Sequence, residues 1–117
     1  MLMQAAEIAI SNRLTRHEFD YRNCFLGAVG ARNDGVIVSS RNLHAVDIAP
    51  DHHAEARLAK KLTPNSTVWV ARVLRRNGEW ALARPCASCE RKLRSCGVRK
   101  VVYTIAPNEW GVMVLTK

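Results

Sequence analysis

The chain has 117 residues, of which 48% are hydrophobic, and no low-complexity stretch; that suits one compact domain, 1–117, with a real core, and excludes a disordered or multidomain chain. Lys and Arg number 18 against 10 Asp and Glu, a formal net charge of +8 that favours an anionic partner such as a nucleotide phosphate, a nucleic acid or an acidic surface. The opening Met1-Leu2-Met3-Gln4-Ala5-Ala6-Glu7 has no basic leader region, and no run approaches the roughly 18 apolar residues of a membrane span, so a cytoplasmic location is the default expectation.

In chain order, residues 3–14 place Ala5, Ala6, Ala9, Ile10 and Leu14 at helical intervals and read as an amphipathic helix lying on a sheet. Residues 16–23 are polar and read as a loop. Two strands follow, 25–31 and 35–39, joined by Asn33-Asp34-Gly35, whose Asp-Gly pair suits a tight hairpin turn. Residues 42–50 read as a loop, after which Asp51 stands where an N-cap belongs, ahead of a helix over 53–62.

Thr63-Pro64-Asn65-Ser66 ends that helix, and the alternating, Val- and Trp-rich run 67–74 reads as a strand. Asn77-Gly78 turns the chain into a returning strand, 79–83. Pro85 opens a helix over 86–96 that Gly97 stops. Strands are expected at 98–105 and 111–115. Strands alternating with helices argue for a three-layer α/β sandwich.

Two short segments carry chemistry: His53-Ala54-Glu55 and Pro85-Cys86-Ala87-Ser88-Cys89. A catalytic zinc keeps three protein ligands and an open position for water. His53, Cys86 and Cys89 supply one nitrogen and two sulfurs. The cysteines, three positions apart, share one side of a helix's first turn, where the positive end of the helix dipole favours thiolate over thiol. His53 falls in the first turn of its own helix, so two helix N-termini can converge on one metal. Glu55 is a poor ligand at a spacing of two, but it can flank the metal's water and carry its proton. Zinc lowers the pKa of that water from about 15.7 towards 7.

The bland alternative is a structural Cys3His clamp that adds Cys96, but it leaves Glu55 without work and takes a cysteine from the far end of the helix. Cys96 itself reads as core or half-exposed, and Cys24, which opens an apolar run, as a small buried hydrophobe. In a cytosolic chain a C-x-x-C pair suits metal or redox chemistry better than a disulfide.

The order H-x-E, then P-C-x-x-C, is the signature of the zinc-dependent nucleobase deaminases. On it the chain resembles the cytidine/deoxycytidylate deaminase superfamily. The resemblance extends over residues 26–103: Leu26-Gly27-Ala28-Val29, a Gly turn, a second strand and Ser40-Arg41-Asn42 resemble the family's first hairpin. Gly97-Val98-Arg99-Lys100-Val101-Val102-Tyr103 resembles the strand after its zinc helix. The resemblance implies a three-layer α/β/α fold with a five-stranded mixed sheet. It implies zinc as cofactor, and hydrolysis of a cytosine base to uracil with release of ammonia, Glu55 acting as acid and base.

It also implies that Asn42 bonds the sugar hydroxyl or the base and that the Ala54 backbone meets the exocyclic group, with His44 and Trp110 as looser pocket candidates. A His in the first motif resembles the deoxycytidylate and nucleic-acid-editing branches. The run Glu55-Ala56-Arg57-Leu58-Ala59 lacks the Asn-Ala pair usual after the Glu in deoxycytidylate enzymes. The fourteen residues after Tyr103 are too few for the C-terminal helix of tRNA-editing adenosine deaminases. The compact form resembles small phage and bacterial members.

The leading expectation is therefore an enzyme on a free pyrimidine nucleotide or nucleoside, assembled as a homo-oligomer and free of membrane contact. The alternatives are a deaminase of cytosine or adenine in single-stranded DNA or RNA, which the charge favours, and a non-catalytic zinc module that holds nucleotides.

Overall fold

The computed structural model describes residues 1–15, 24–41 and 58–115. Its regular elements are α1 (Leu2–Leu14), β1 (Cys24–Ala31), β2 (Ile37–Arg41), β3 (Thr67–Leu74), β4 (Trp80–Ala81), α2 (Ala87–Ser95), β5 (Lys100–Ala106) and β6 (Glu109–Val114). The strands form one mixed sheet in the order β2-β1-β3-β5-β6, with the two-residue β4 paired to β3. Only β3 and β5 run parallel; the other pairings are antiparallel. The expected five-stranded α/β/α sheet is present, with β4 as a short sixth strand.

The central strands β1 and β3 are largely apolar because both of their faces are covered. On one face, Leu26, Ala28, Val68, Val70 and Val101 pack with Leu93 of α2 and with the helical residues Leu58 and Ala59. On the other, Val29, Ala71, Phe25 and Val73 pack under α1. Alternation along each strand sends successive side chains to opposite layers.

The helix α1 differs from its sequence pattern. Its buried face is Ala5, Ala6, Ala9 and Asn12, while Ile10 is 37% and Leu14 67% exposed. The reason lies under it, at Gly27. A Cβ there would meet the Ala5 carbonyl, and would stand 2.7 Å from the Ala9 nitrogen and 2.8 Å from the Ile8 Cβ. The helix rests backbone to backbone on β1, so its contact stripe must be small residues. Asn12 donates to the Leu26 carbonyl at 3.5 Å, and Arg13 Nε to the Arg75 carbonyl at 2.8 Å.

The turns follow local chemistry. Gly35 has φ +89°, and the Asp34 carboxylate accepts from the Val36 N–H at 3.1 Å, so β2 starts two residues later than its apolar run suggests. Gly78 has φ +72°, beside an Asn77 side chain that accepts from the Glu79 N–H at 3.0 Å. The strand β4 ends early because the chain changes partner. Ala81 pairs with Arg72, but the Ala83 N–H donates to the Thr104 carbonyl of β5 at 2.9 Å.

The far end of α2 is a Schellman turn. Gly97, at φ +77°, donates to Arg94, and Val98 donates to Leu93 at 3.1 Å. Val98 and Leu93 are both fully buried, which adds the apolar contact of that motif.

Candidate metal centre

The segment before α2 is placed by one buried side chain. Thr104 is fully buried; its hydroxyl accepts the Arg72 N–H at 3.1 Å and donates to the Ala81 carbonyl at 2.8 Å. Together with the Ala83–Thr104 backbone bond, this fixes the chain that runs on through Arg84 and a buried Pro85 to Cys86.

Cys86 is the N-cap of α2, in extended conformation at φ −68°, ψ 167°, and exposed. Among the described residues no side chain caps the helix, and the N-terminal end of a helix favours negative charge. Cys89 lies in the first turn and is 2% exposed. One sulfur thus stands at the open helix end and the other is held inside it. The nearby Glu90 pairs with Arg94 at 3.3 Å, one turn along. Among the described residues no disulfide joins the four cysteines.

The other cysteine of the helix is excluded from this pair. Cys96 lies ten residues beyond Cys86, about 15 Å along the helix at 1.5 Å per residue, far beyond a zinc–sulfur bond of about 2.3 Å. Its thiol donates instead to the Ala59 carbonyl at 3.4 Å. A Cys3His clamp that includes Cys96 is not possible in this fold.

The expected site residues His53, Ala54, Glu55, Asn42 and His44 lie outside the described residues. Their chain neighbours are placed. Arg41, just before Asn42, ends β2 opposite Gly27. Leu58 and Ala59, just after the His53–Glu55 motif, are buried with Leu93 of α2. Among the described residues no three of His, Cys, Asp and Glu gather around one point. Of the expected ligand set, Cys86 and Cys89 are the described part, and two sulfurs at a helix N-terminus are of a kind that suits zinc.

Trp110 is placed away from the cysteines. It pairs with Thr104 on the edge strand β6, 59% exposed. Met113 and Leu115 pack into the core beneath α2, so alternation turns Trp110, Val112 and Val114 to the face that carries α1.

One residue that sequence reasoning passed over is Arg72. Val68, Val70 and Arg72 share a face of β3, the face against α2. The Nε of Arg72 is buried and has no hydrogen-bond partner among the described residues. The signal was an arginine at an alternate position of an otherwise apolar central strand.

No protein-family model matches the chain, and no curated protein matches it in sequence. Solved structures do match in fold. The cytidine deaminase from Burkholderia pseudomallei superposes with a TM-score of 0.61 at 20% identity, over 97% of this chain and 91% of that one. The cytidine deaminase from Mycobacterium leprae gives 0.56 at 20% identity, over 97% and 92%. That from Mycobacterium tuberculosis gives 0.51 at 15% identity, over 89% and 88%. The chain has the cytidine deaminase fold. Among the described residues no helix is long and apolar enough to cross a membrane.

Proposed function

We propose that the chain is a zinc-dependent hydrolytic deaminase that converts the cytosine base of a free nucleotide or nucleoside to uracil and releases ammonia. The observation that carries this reading is the Cys86–Cys89 pair at the N-terminus of α2, within a cytidine deaminase fold. His53 and Glu55 stand in the sequence order that such chemistry uses.

In this reading His53, Cys86 and Cys89 hold the zinc. Bound there, it supplies an acidified water near neutral pH. Glu55 takes a proton from the attacking water and passes it to the ring nitrogen beside C4. The water oxygen adds at C4; Glu55 then takes the proton of the new C4 hydroxyl and gives it to the departing amine, and the C4–N bond breaks as the C4 carbonyl forms. One water is consumed and one ammonia released. Asn42 binds the sugar hydroxyl or the base, the Ala54 backbone meets the exocyclic group, and His44 lines the pocket.

The reading includes a homo-oligomer. The edge strand β6 presents Trp110, Val112 and Val114 as an exposed apolar stripe, and such edges favour pairing with another chain.

The test is ammonia release by the zinc-loaded protein from cytidine, deoxycytidine, CMP, dCMP and a cytosine-bearing single strand, with Glu55→Ala as control. Turnover of a monomeric compound, lost in the variant, is expected. Turnover of the strand alone would replace the free-nucleotide reading with a polynucleotide one. No turnover by a zinc-bearing protein would leave a binding module.

A further inference from the structure

We propose that Arg72 binds the phosphate of the substrate, so that the site takes a cytosine nucleotide in preference to the neutral nucleoside. The inference rests on the deaminase reading and narrows its substrate class.

Arg72 lies two residues before the carboxyl end of β3, the central strand. Its neighbours across the sheet are Leu26 of β1, which is buried, and Ala81 of β4. Strand alternation places its side chain on the face that α2 covers, in line with Val68 and Val70. The backbone opposite it runs directly on to Cys86. The arginine and the thiol pair therefore share one face of the sheet and open at one end, the carboxyl end of β3. That is where ligands sit in open α/β sheets.

The side chain is half-buried, with its Nε shut off from solvent. Among the described residues no carboxylate and no carbonyl accepts from its guanidinium. The ion pairs Arg32–Asp34 and Arg94–Glu90 lie elsewhere. A buried donor on a cation without an acceptor is costly, and a group of this kind requires an explanation. An anion that arrives with the substrate supplies one. The planar fork of a guanidinium matches two phosphate oxygens, whereas a neutral nucleoside brings no anion to it.

The surroundings agree in sign. At the same end of the sheet stand Arg75 and Arg76 in the β3–β4 turn and Arg84 before Cys86. Against them, among the described residues, are Glu79, Glu109 and, in the first turn of α2, Glu90, which pairs with Arg94. An excess of positive charge at that end attracts phosphorylated ligands.

The experiment measures binding of uridine monophosphate and of uridine to the zinc-loaded full chain by calorimetry, in the wild type, Arg72→Leu and Arg72→Lys. The wild type is expected to bind the monophosphate more tightly. Arg72→Leu is expected to lose about ten- to a hundredfold of monophosphate affinity, the range for one charge-assisted contact, so that the preference collapses. Should Arg72→Leu fail to fold, Arg72→Lys carries the test: loss of the fork still lowers the monophosphate affinity relative to uridine.

Equal binding of the two ligands by the wild type, or a preference that survives both substitutions, would overturn the proposal. So would an Arg72-dependent affinity for a cytosine-bearing oligonucleotide with none for the monophosphate, which would assign the phosphate to a strand. Because binding is read without turnover, the two readings fail separately. Phosphate preference without ammonia release sinks the deaminase and keeps the site. Ammonia release with no phosphate preference does the reverse.

Discussion

The Cys96 thiol donates to the carbonyl oxygen of Ala59, 37 residues earlier in the chain, at 3.4 Å. This bond ties the foot of α2 to the segment that follows His53 and Glu55. The cysteine that a structural zinc clamp would need is thus used to join the two helical segments on one face of the sheet.

Zinc stoichiometry checks that division of labour. Cys96→Ala should keep one zinc per chain and lose about 1 kcal/mol of stability, the worth of one modest hydrogen bond. Cys86→Ser and Cys89→Ser should each lose the metal. Zinc assay and thermal melting of the three variants measure this, and a metal-free Cys96→Ala protein would restore the clamp.

Chelation of the metal should abolish ammonia release, and added zinc should restore it. Glu55→Gln should keep the zinc and lose about 10²- to 10⁴-fold in kcat, the usual worth of a positioned acid–base group. A Glu55→Gln enzyme that turned over at the wild-type rate would exclude the proposed proton path.

Thr104→Val keeps the shape and deletes the hydroxyl that bridges the Arg72 N–H and the Ala81 carbonyl. Leaving those buried groups unpaired should cost about 1–3 kcal/mol, seen by urea denaturation. Since the same hydroxyl steadies the approach to Cys86, zinc affinity measured against a competing chelator should weaken as well.

Gly27→Ala would drive a methyl group into the backbone of α1. The helix must lift, at a cost of about 1–3 kcal/mol typical of overpacking. The cysteines lie beyond the opposite face of the sheet, so one zinc per chain should remain. Denaturation and zinc content, measured together, test both halves.

Val112→Lys, placed in the exposed stripe of β6, should shift sedimentation towards the monomer if that edge joins subunits. An unchanged oligomer would move the interface elsewhere.

Much of this molecule was legible as local chemistry. Asn33-Asp34-Gly35, Asn77-Gly78 and Gly97 mark their turns because a positive φ there requires glycine, and all three glycines adopt it. The alternation of residues 67–74 matches β3 to the residue. The pairing of Cys86 with Cys89 follows from helical spacing alone.

Other features depend on what packs against what. Ile10 and Leu14 carry the right period for a buried face, yet they are exposed, because Gly27 brings α1 close to β1 and its buried stripe is Ala5, Ala6, Ala9 and Asn12. Trp110 reads in sequence as a looser pocket candidate, but the inward packing of Met113 and Leu115 turns it to the other face. Arg72 is one more cation in the sequence. Only the sheet, by burying its Nε on the side of the thiols, distinguishes it from the rest. Turns, strand periods and ligand spacing are set by bonds a few residues long, and so they belong to the sequence. Which face a side chain meets, and whether water reaches it, is set by partners distant along the chain, and only the tertiary structure decides it.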